Sequence, residues 1–126
     1  MVGLRRLALF SVFAASISSL SSCGGSDLSE QEGCNQVYAS LCNKFYDCYS
    51  KDDLAANKDI FGLNRGDCAV KYQNMNCTPT MVACDSGQTY HPDKAQSCLA
   101  GFKSLSCSDI MMTPLPTPAV CDQICQ

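Results

Sequence analysis

Cys34-Asn35-Gln36-Val37-Tyr38-Ala39-Ser40-Leu41-Cys42-Asn43-Lys44-Phe45-Tyr46-Asp47-Cys48-Tyr49 is the stretch on which the fold turns. Cys34, Val37, Tyr38, Leu41, Phe45, Cys48 and Tyr49 fall at i, i+3, i+4, i+7, i+11, i+14 and i+15, the spacing of one apolar stripe on an α-helix. Asn35, Gln36, Ser40, Lys44 and Asp47 take the polar side. Upstream, Ser29 followed by Glu32 has the form of a capping box, so the helix is predicted to begin there.

Downstream, the same reasoning predicts two more main helices. Ser50 and Asp53 offer a second capping box for a short helix through Leu54-Ala55-Ala56, before a loop at Asp59-Ile60-Phe61-Gly62. The second main helix is expected from near Asn64 to about Asn76, with Cys68, Tyr72, Met75 and Ala69 on its apolar side. Thr78 to Tyr90, with Pro79 and Gly87, reads as a long loop pinned by Cys84. Pro92 suits the first position of the third helix, whose buried face carries Ala95, Cys98, Leu99, Phe102 and Leu105. Cys107 to Met112 could add one turn. The prolines of Thr113 to Pro118 exclude a helix and imply an extended return to a last turn holding Cys121 and Cys125. Strand signals are poor, without a two-residue hairpin turn.

A regularity runs through the three helices. Cys68-x3-Tyr72-x2-Met75-x-Cys77 and Cys98-x3-Phe102-x2-Leu105-x-Cys107 share one template. Cys34-x3-Tyr38-x2-Leu41-Cys42 matches it with one residue deleted. The first three positions share a helix face, so each helix is expected to bring a cysteine, an aromatic and an aliphatic residue to a common core.

At the other end of the chain, Arg5 and Arg6 precede an uncharged run from Leu7 to Leu20. That run is about 14 residues, too short for the roughly 20 of a spanning helix, and it reads as a signal peptide. Leu20-Ser21-Ser22-Cys23-Gly24-Gly25 then matches a lipobox, with Cys23 as the acylated residue. Removing residues 1–22 leaves 104 residues, since 126 minus 22 is 104, a single-domain length. All 12 acidic residues remain and 7 of the 9 basic ones, so the formal charge moves from −3 to −5. A basic face for nucleic acid or an anionic bilayer is thereby argued against.

All 11 cysteines fall within the 104 residues from Cys23 onward, more than the roughly 8–10% that marks a disulfide scaffold in a short exported chain. If Cys23 carries a thioether-linked lipid, the parity resolves. Cys34, Cys42, Cys48, Cys68, Cys77, Cys84, Cys98, Cys107, Cys121 and Cys125 remain as candidates for up to five bridges. Spacing leaves the connectivity open, as eight cysteines already allow 105 pairings and ten allow nine times as many. One bridge is nonetheless expected, Cys48 to Cys68, on the argument that antiparallel first and second helices bring the end of one beside the start of the next. Cys42–Cys48 and Cys68–Cys77 are excluded, because six and nine residues along a helix turn by about 240° and 180°. Cys77, Cys98 and Cys107 are then left for the third helix, and Cys121 or Cys125 for the tail.

The arrangement resembles the small cysteine-rich lipoproteins encoded in myxobacterial genomes. The likeness rests on the lipobox with Gly24-Gly25, on Leu41-Cys42-Asn43-Lys44-Phe45-Tyr46-Asp47-Cys48, and on Phe61-Gly62-Leu63-Asn64-Arg65-Gly66-Asp67-Cys68. A Pro-started helix to Cys98, Ser106-Cys107-Ser108-Asp109-Ile110 and a proline-rich approach to Cys121 complete it. Cys34, Cys84 and Cys125 are additional to that pattern. The resemblance implies location and fold, and no mechanism.

Zinc sites need paired Cys-x2-Cys or His-x3-His spacing; here the closest pair is Cys121-x3-Cys125 and His91 is the only histidine. Cys-x2-Cys redox and haem-attachment motifs are absent from the sequence. His91 as a general base would need a nucleophile and an orienting carboxylate; Ser86 and Asp85 are near in sequence, without a Gly-x-Ser-x-Gly elbow. Asp52 and Asp53 suit a helix N-terminus better than a cation site.

The expected fold class is all-α, a small disulfide-rich domain of three main helices with long loops. Residues 1–22 are the lipoprotein signal peptide, 23–33 the lipidated cysteine and a short tether, and 34–126 the disulfide-stapled domain. The expected function is that of a non-catalytic binding or structural module. It is held at the bacterial outer membrane by acyl lipid on Cys23, without other cofactor or metal, and meets an envelope protein or glycan rather than nucleic acid. The alternative is a small hydrolase or hydrolase inhibitor acting through the 78–92 loop.

Overall fold

The computed structural model describes residues 28–126; the expected signal peptide, the expected lipobox and Cys23 lie outside the described residues. The capping box at the head of the first helix, α1 (Glu30–Cys48), forms as its sequence requires. The Glu32 backbone N–H donates to Ser29 Oγ at 3.3 Å, and the Ser29 backbone N–H donates back to the Glu32 carboxylate at 3.1 Å. Two of the four amides that a helix start leaves unpaired are thereby engaged. Glu30 and Glu32 also lie in the first turn, where the helix dipole favours negative charge.

Two short helices carry the chain away from α1: α2 (Lys51–Ala56), capped by Ser50 as expected, and α3 (Lys58–Phe61). The second corrects the expected loop at 59–62, whose first three residues belong to this single turn. Gly62 ends it at φ +75°, and a Cβ there would sit 2.9 Å from both Asp67 Cβ and Cys68 N. Only glycine fits that left-handed, crowded turn.

The second main helix, α4 (Arg65–Asn76), starts at the expected cap, with Asn64 Oδ1 accepting from the Asp67 N–H. After it, α5 (Pro79–Val82) places one turn inside the segment expected to be loop. The third main helix, α6 (Pro92–Ser104), begins with Pro92 in its first turn as predicted. A second full capping box, Ser106 with Asp109, starts α7 (Cys107–Ile110), and a 3-10 turn at Ala119–Gln123 closes the chain. The helices α1, α4 and α6 are the three main ones, and no strand occurs among the described residues apart from an isolated antiparallel bridge between Tyr90 and Cys125.

All ten candidate cysteines are paired: Cys34–Cys77, Cys42–Cys68, Cys48–Cys107, Cys84–Cys125 and Cys98–Cys121, with Cα separations of 4.9–5.7 Å. Cys34–Cys77 and Cys42–Cys68 run in opposite chain order, so α1 and α4 are antiparallel neighbours as argued from sequence. The Cys48–Cys68 pairing is overturned. The chain from 49 to 64 does not make a plain turn; α2 and α3 lead it back along α1, so that α4 starts beside Cys42. Cys48, six residues further along, is rotated by about 240° and faces α7, where it bridges Cys107. The assignment of the rest changes accordingly. Cys77 goes to α1 rather than to the third helix, and Cys98 holds the tail through Cys121.

Cys42 and Cys68, each 0% exposed, are the most deeply buried side chains of the domain. A separate apolar cluster is formed by Leu41, Cys98, Phe102 and Ile110, covered by Val37, Phe45, Leu105, Leu115, Val120 and Ile124. Two of the three template positions thus hold in α4, but Met75 departs from it. It is 57% exposed, a correction to the shared-core reading. The end of α4 is still packed on α1, through Cys34–Cys77 with Cys77 2% exposed and through Gln73 Nε2 donating to Asn35 O at 2.9 Å, while Met75 faces outward.

The extended proline segment crosses α6 closely. A Cβ on Gly101 would meet Pro118 Cβ at 2.7 Å and Cγ at 2.8 Å, so glycine is what lets the strap lie on the helix. The tail then runs antiparallel to residues 89–91, with the Thr89 N–H donating to Gln126 O at 2.6 Å and the His91 N–H to Ile124 O at 2.8 Å.

Candidate functional site: an apolar groove along α1

The stripe of α1 predicted to be core is only partly covered. Between α1, the end of α4, α5 and α6 runs an open groove of about 520 Å³, within the roughly 300–1,000 Å³ of small-ligand pockets. From α1 it is lined by Glu30, Gly33, Cys34, Val37, Tyr38, Leu41 and Phe45, which is the whole stripe from the first turn to the fourth. Ala95, Cys98 and Phe102 of α6 form the opposite wall, with Tyr72 of α4, Met81 and Val82 of α5, and Leu115 and Ile124 of the tail.

Aromatic rings set its inner end. Tyr38 and Tyr72 stack with centroids 5.8 Å apart and planes 7° off parallel, and Phe45 lies 6.5 Å from Tyr72 and 5.4 Å from Phe61. Burial pushes the Tyr38 phenol above its ordinary pKa, with the neighbouring Tyr72 adding to the shift, and burial raises Tyr72 likewise. Both therefore stay neutral at physiological pH and present ring surface rather than charge.

The outer end is more polar. Tyr90 donates its hydroxyl to Leu28 O at 2.7 Å, and burial, then Glu30 and Glu32, raise its pKa. Gly33 is tightly surrounded there; a Cβ would lie 3.4 Å from Tyr90 Oη, 3.5 Å from Leu28 Cδ2 and 3.7 Å from Ala95 Cβ. Leu28, 8% exposed, thus delivers the chain directly to the groove's mouth.

The residues considered for catalysis are not brought into one constellation. His91 precedes α6 without a side-chain capping bond, and among the described residues no hydrogen bond joins its ring to Ser86 or Asp85. The 78–92 segment is instead tied to the tail by Cys84–Cys125 and by the Thr89–Gln126 pair. Asp53 is engaged at its own helix start, with Ser50 donating to its carboxylate at 2.6 Å. Among the described residues no group of three His, Cys, Asp or Glu side chains could hold a metal, and no helix is long and apolar enough to cross a membrane.

A second hollow lies on the far side of α1, between Tyr46, Tyr49, Leu54 and Leu63 with Lys51, Lys58 and Arg65 at its edge. Arg65 is already committed there, donating to Asp47 at 2.6 Å and to Asn43 O at 3.0 Å, with its guanidinium 5.9 Å from the Tyr46 ring. Leu63, 79% exposed, is the most open large apolar side chain of the domain. Comparison with protein-family models, curated proteins and solved structures finds no match for this chain.

Sequence reasoning missed the groove although it named most of its lining. A helical stripe reports which residues turn inward; whether the facing elements fill the space depends on bridge connectivity, which spacing leaves open.

Proposed function

We propose that this chain is a bacterial envelope lipoprotein, acylated at Cys23 and held at the outer membrane, whose helical domain is a non-catalytic module binding an apolar ligand. The groove carries the reading. Its walls are mainly aliphatic, aromatic and disulfide groups with a few polar side chains among them, Glu30 and Tyr90 at one end, the arrangement that favours burial of a ligand's apolar surface. Five bridges among ten cysteines fit an oxidising exported compartment and leave Cys23 as the odd thiol for a lipid. The likeness to the myxobacterial cysteine-rich lipoproteins supports the same address.

Two measurements test it. Cys23→Ala should move the protein from the membrane fraction to the soluble one and abolish labelling by a radioactive fatty acid; retention in the membrane overturns the anchor. Titration of the soluble Cys23→Ala protein with a fluorescent fatty acid should give saturable one-to-one binding. Signal that rises without saturation, or that is unchanged by Val37→Trp in the groove wall, overturns the ligand site.

A further inference from the structure

We propose that the resident ligand of the groove is an acyl chain of the protein's own anchor, an inference that rests on acylation at Cys23 as read above. Three observations point to it. First, the groove is long rather than round. Its α1 wall runs from Glu30 to Phe45, fifteen residues and about 22 Å of helix, in one continuous stripe. That is the shape of an extended hydrocarbon chain and not of a compact ring.

Second, the two ends of that length differ. Tyr90 and Glu30 stand at the α1 N-terminal end, the Tyr38–Tyr72 stack lies at mid-length and the Phe45 ring at the far end, with Asn76 and Thr117 as the other polar side chains of the lining. A chain whose ester or amide head stays at the mouth while its methyl end goes inward meets matching surroundings at both ends.

Third, the covalent path fits. Leu28 packs at the mouth, with its carbonyl held by Tyr90 and its side chain beside Gly33. Cys23 is five residues before Leu28, a reach of at most about 18 Å. A chain attached to Cys23 is therefore presented to the groove at an effective concentration on the order of millimolar or above, which a free fatty acid in water does not reach.

A methylene is in apolar surroundings in the groove and in the bilayer alike, so withdrawal of one chain exchanges one burial for another. The remaining anchor is then weaker than its full complement of chains. The domain thereby sets how firmly the protein is held to the membrane.

The test uses the full-length acylated protein. Cells are fed a fatty acid carrying a photoactivatable diazirine near its methyl end, the mature protein is irradiated in its native membranes, and crosslinked peptides are mapped by mass spectrometry. Mixed isotope labelling separates crosslinks within one copy from those between copies. The expected result is an intramolecular crosslink from the Cys23 lipid to peptides containing Val37, Tyr38, Leu41 or Phe102. Val37→Trp should reduce its yield at least five-fold with acylation of Cys23 unchanged. Acylated Cys23 with crosslinks only to phospholipid, or only to a second copy, overturns this inference and leaves the anchor standing. Absence of label on Cys23 overturns both.

Discussion

Removing the Cys42–Cys68 bridge should cost more stability than removing Cys84–Cys125, although the loop arithmetic of the two is nearly the same. With Cys34–Cys77 intact, Cys42–Cys68 closes only the eight residues from 34 to 42 and the nine from 68 to 77, seventeen in all. With Cys98–Cys121 intact, Cys84–Cys125 closes fourteen residues from 84 to 98 and four from 121 to 125, eighteen in all. In the chain-entropy description each is worth about 3 kcal/mol. What differs is burial. Cys42 and Cys68 are 0% exposed, whereas Cys84 and Cys125 are half-buried. Alanine at both core positions deletes two fully buried sulfurs, each about the size of a methyl group, at a further cost of about 0.5–1.5 kcal/mol apiece.

The Cys42→Ala/Cys68→Ala variant should therefore lose about 4–6 kcal/mol against about 3 for Cys84→Ala/Cys125→Ala. The assay is urea unfolding followed by far-ultraviolet circular dichroism under non-reducing conditions. At a slope of about 2 kcal/mol per molar urea, the core variant should have its midpoint lowered by about 2–3 M and the tail variant by about 1.5 M. Equal midpoints, or the reverse order, would refute the argument that sulfur burial, and not loop closure alone, holds the centre of this domain.

Other expectations follow from the caps, the glycines and the thiols. Hydrogen bonds from Ser29 and Ser106 lower the pKa of Glu32 and Asp109, and the hydrogen bond from Arg65 lowers that of Asp47. Folded values below unfolded ones mean stability that is complete above the ordinary carboxyl range of about 4 and lost as pH falls through the lowered folded values. Glu32→Gln keeps the reciprocal cap, so it should unfold like the parent at neutral pH and show a shallower acid limb; an unchanged acid limb would count against the capping account. Gly101→Val should drive the proline strap off α6, costing about 1–3 kcal/mol by overpacking against Pro118, read as a lowered urea midpoint with faster proteolysis at residues 113–118. Alkylation of the unreduced Cys23→Ala protein should find no accessible thiol; two or more modified cysteines would break the pairing described above.

What could be read from the sequence was local. Ser29 with Glu32, Asn64, and Pro92 announce helix starts within three or four residues, and each start is found where its cap stands. The single turns α3 and α5 were hidden because four residues give too little periodicity to separate helix from loop. Bridge partners lie 23–59 residues apart, so their choice depends on how α2 and α3 redirect the chain, and that path is set by packing of Phe61 and by the left-handed turn at Gly62. The groove was invisible for the same reason. Its two walls, α1 and α6, lie far apart in the chain and no bridge joins them directly, so a stripe on one wall says nothing of the distance to the other.

The order of the bridges has a consequence for biogenesis. In chain order the ten cysteines pair first with fifth, second with fourth, third with eighth, sixth with tenth and seventh with ninth. No cysteine is bonded to its nearest neighbour in sequence. A chain oxidised as it emerges from its N-terminus presents Cys34, Cys42 and Cys48 together, long before Cys68, Cys77 or Cys107 arrives. The fastest oxidant would join them wrongly, since short loops close most readily. Such a mispaired chain reaches its final connectivity only by thiol–disulfide exchange, which is slow when unassisted. Maturation of this protein is therefore governed by shuffling of bridges more than by their formation, and a host that oxidises thiols without an isomerase should accumulate scrambled, non-native species.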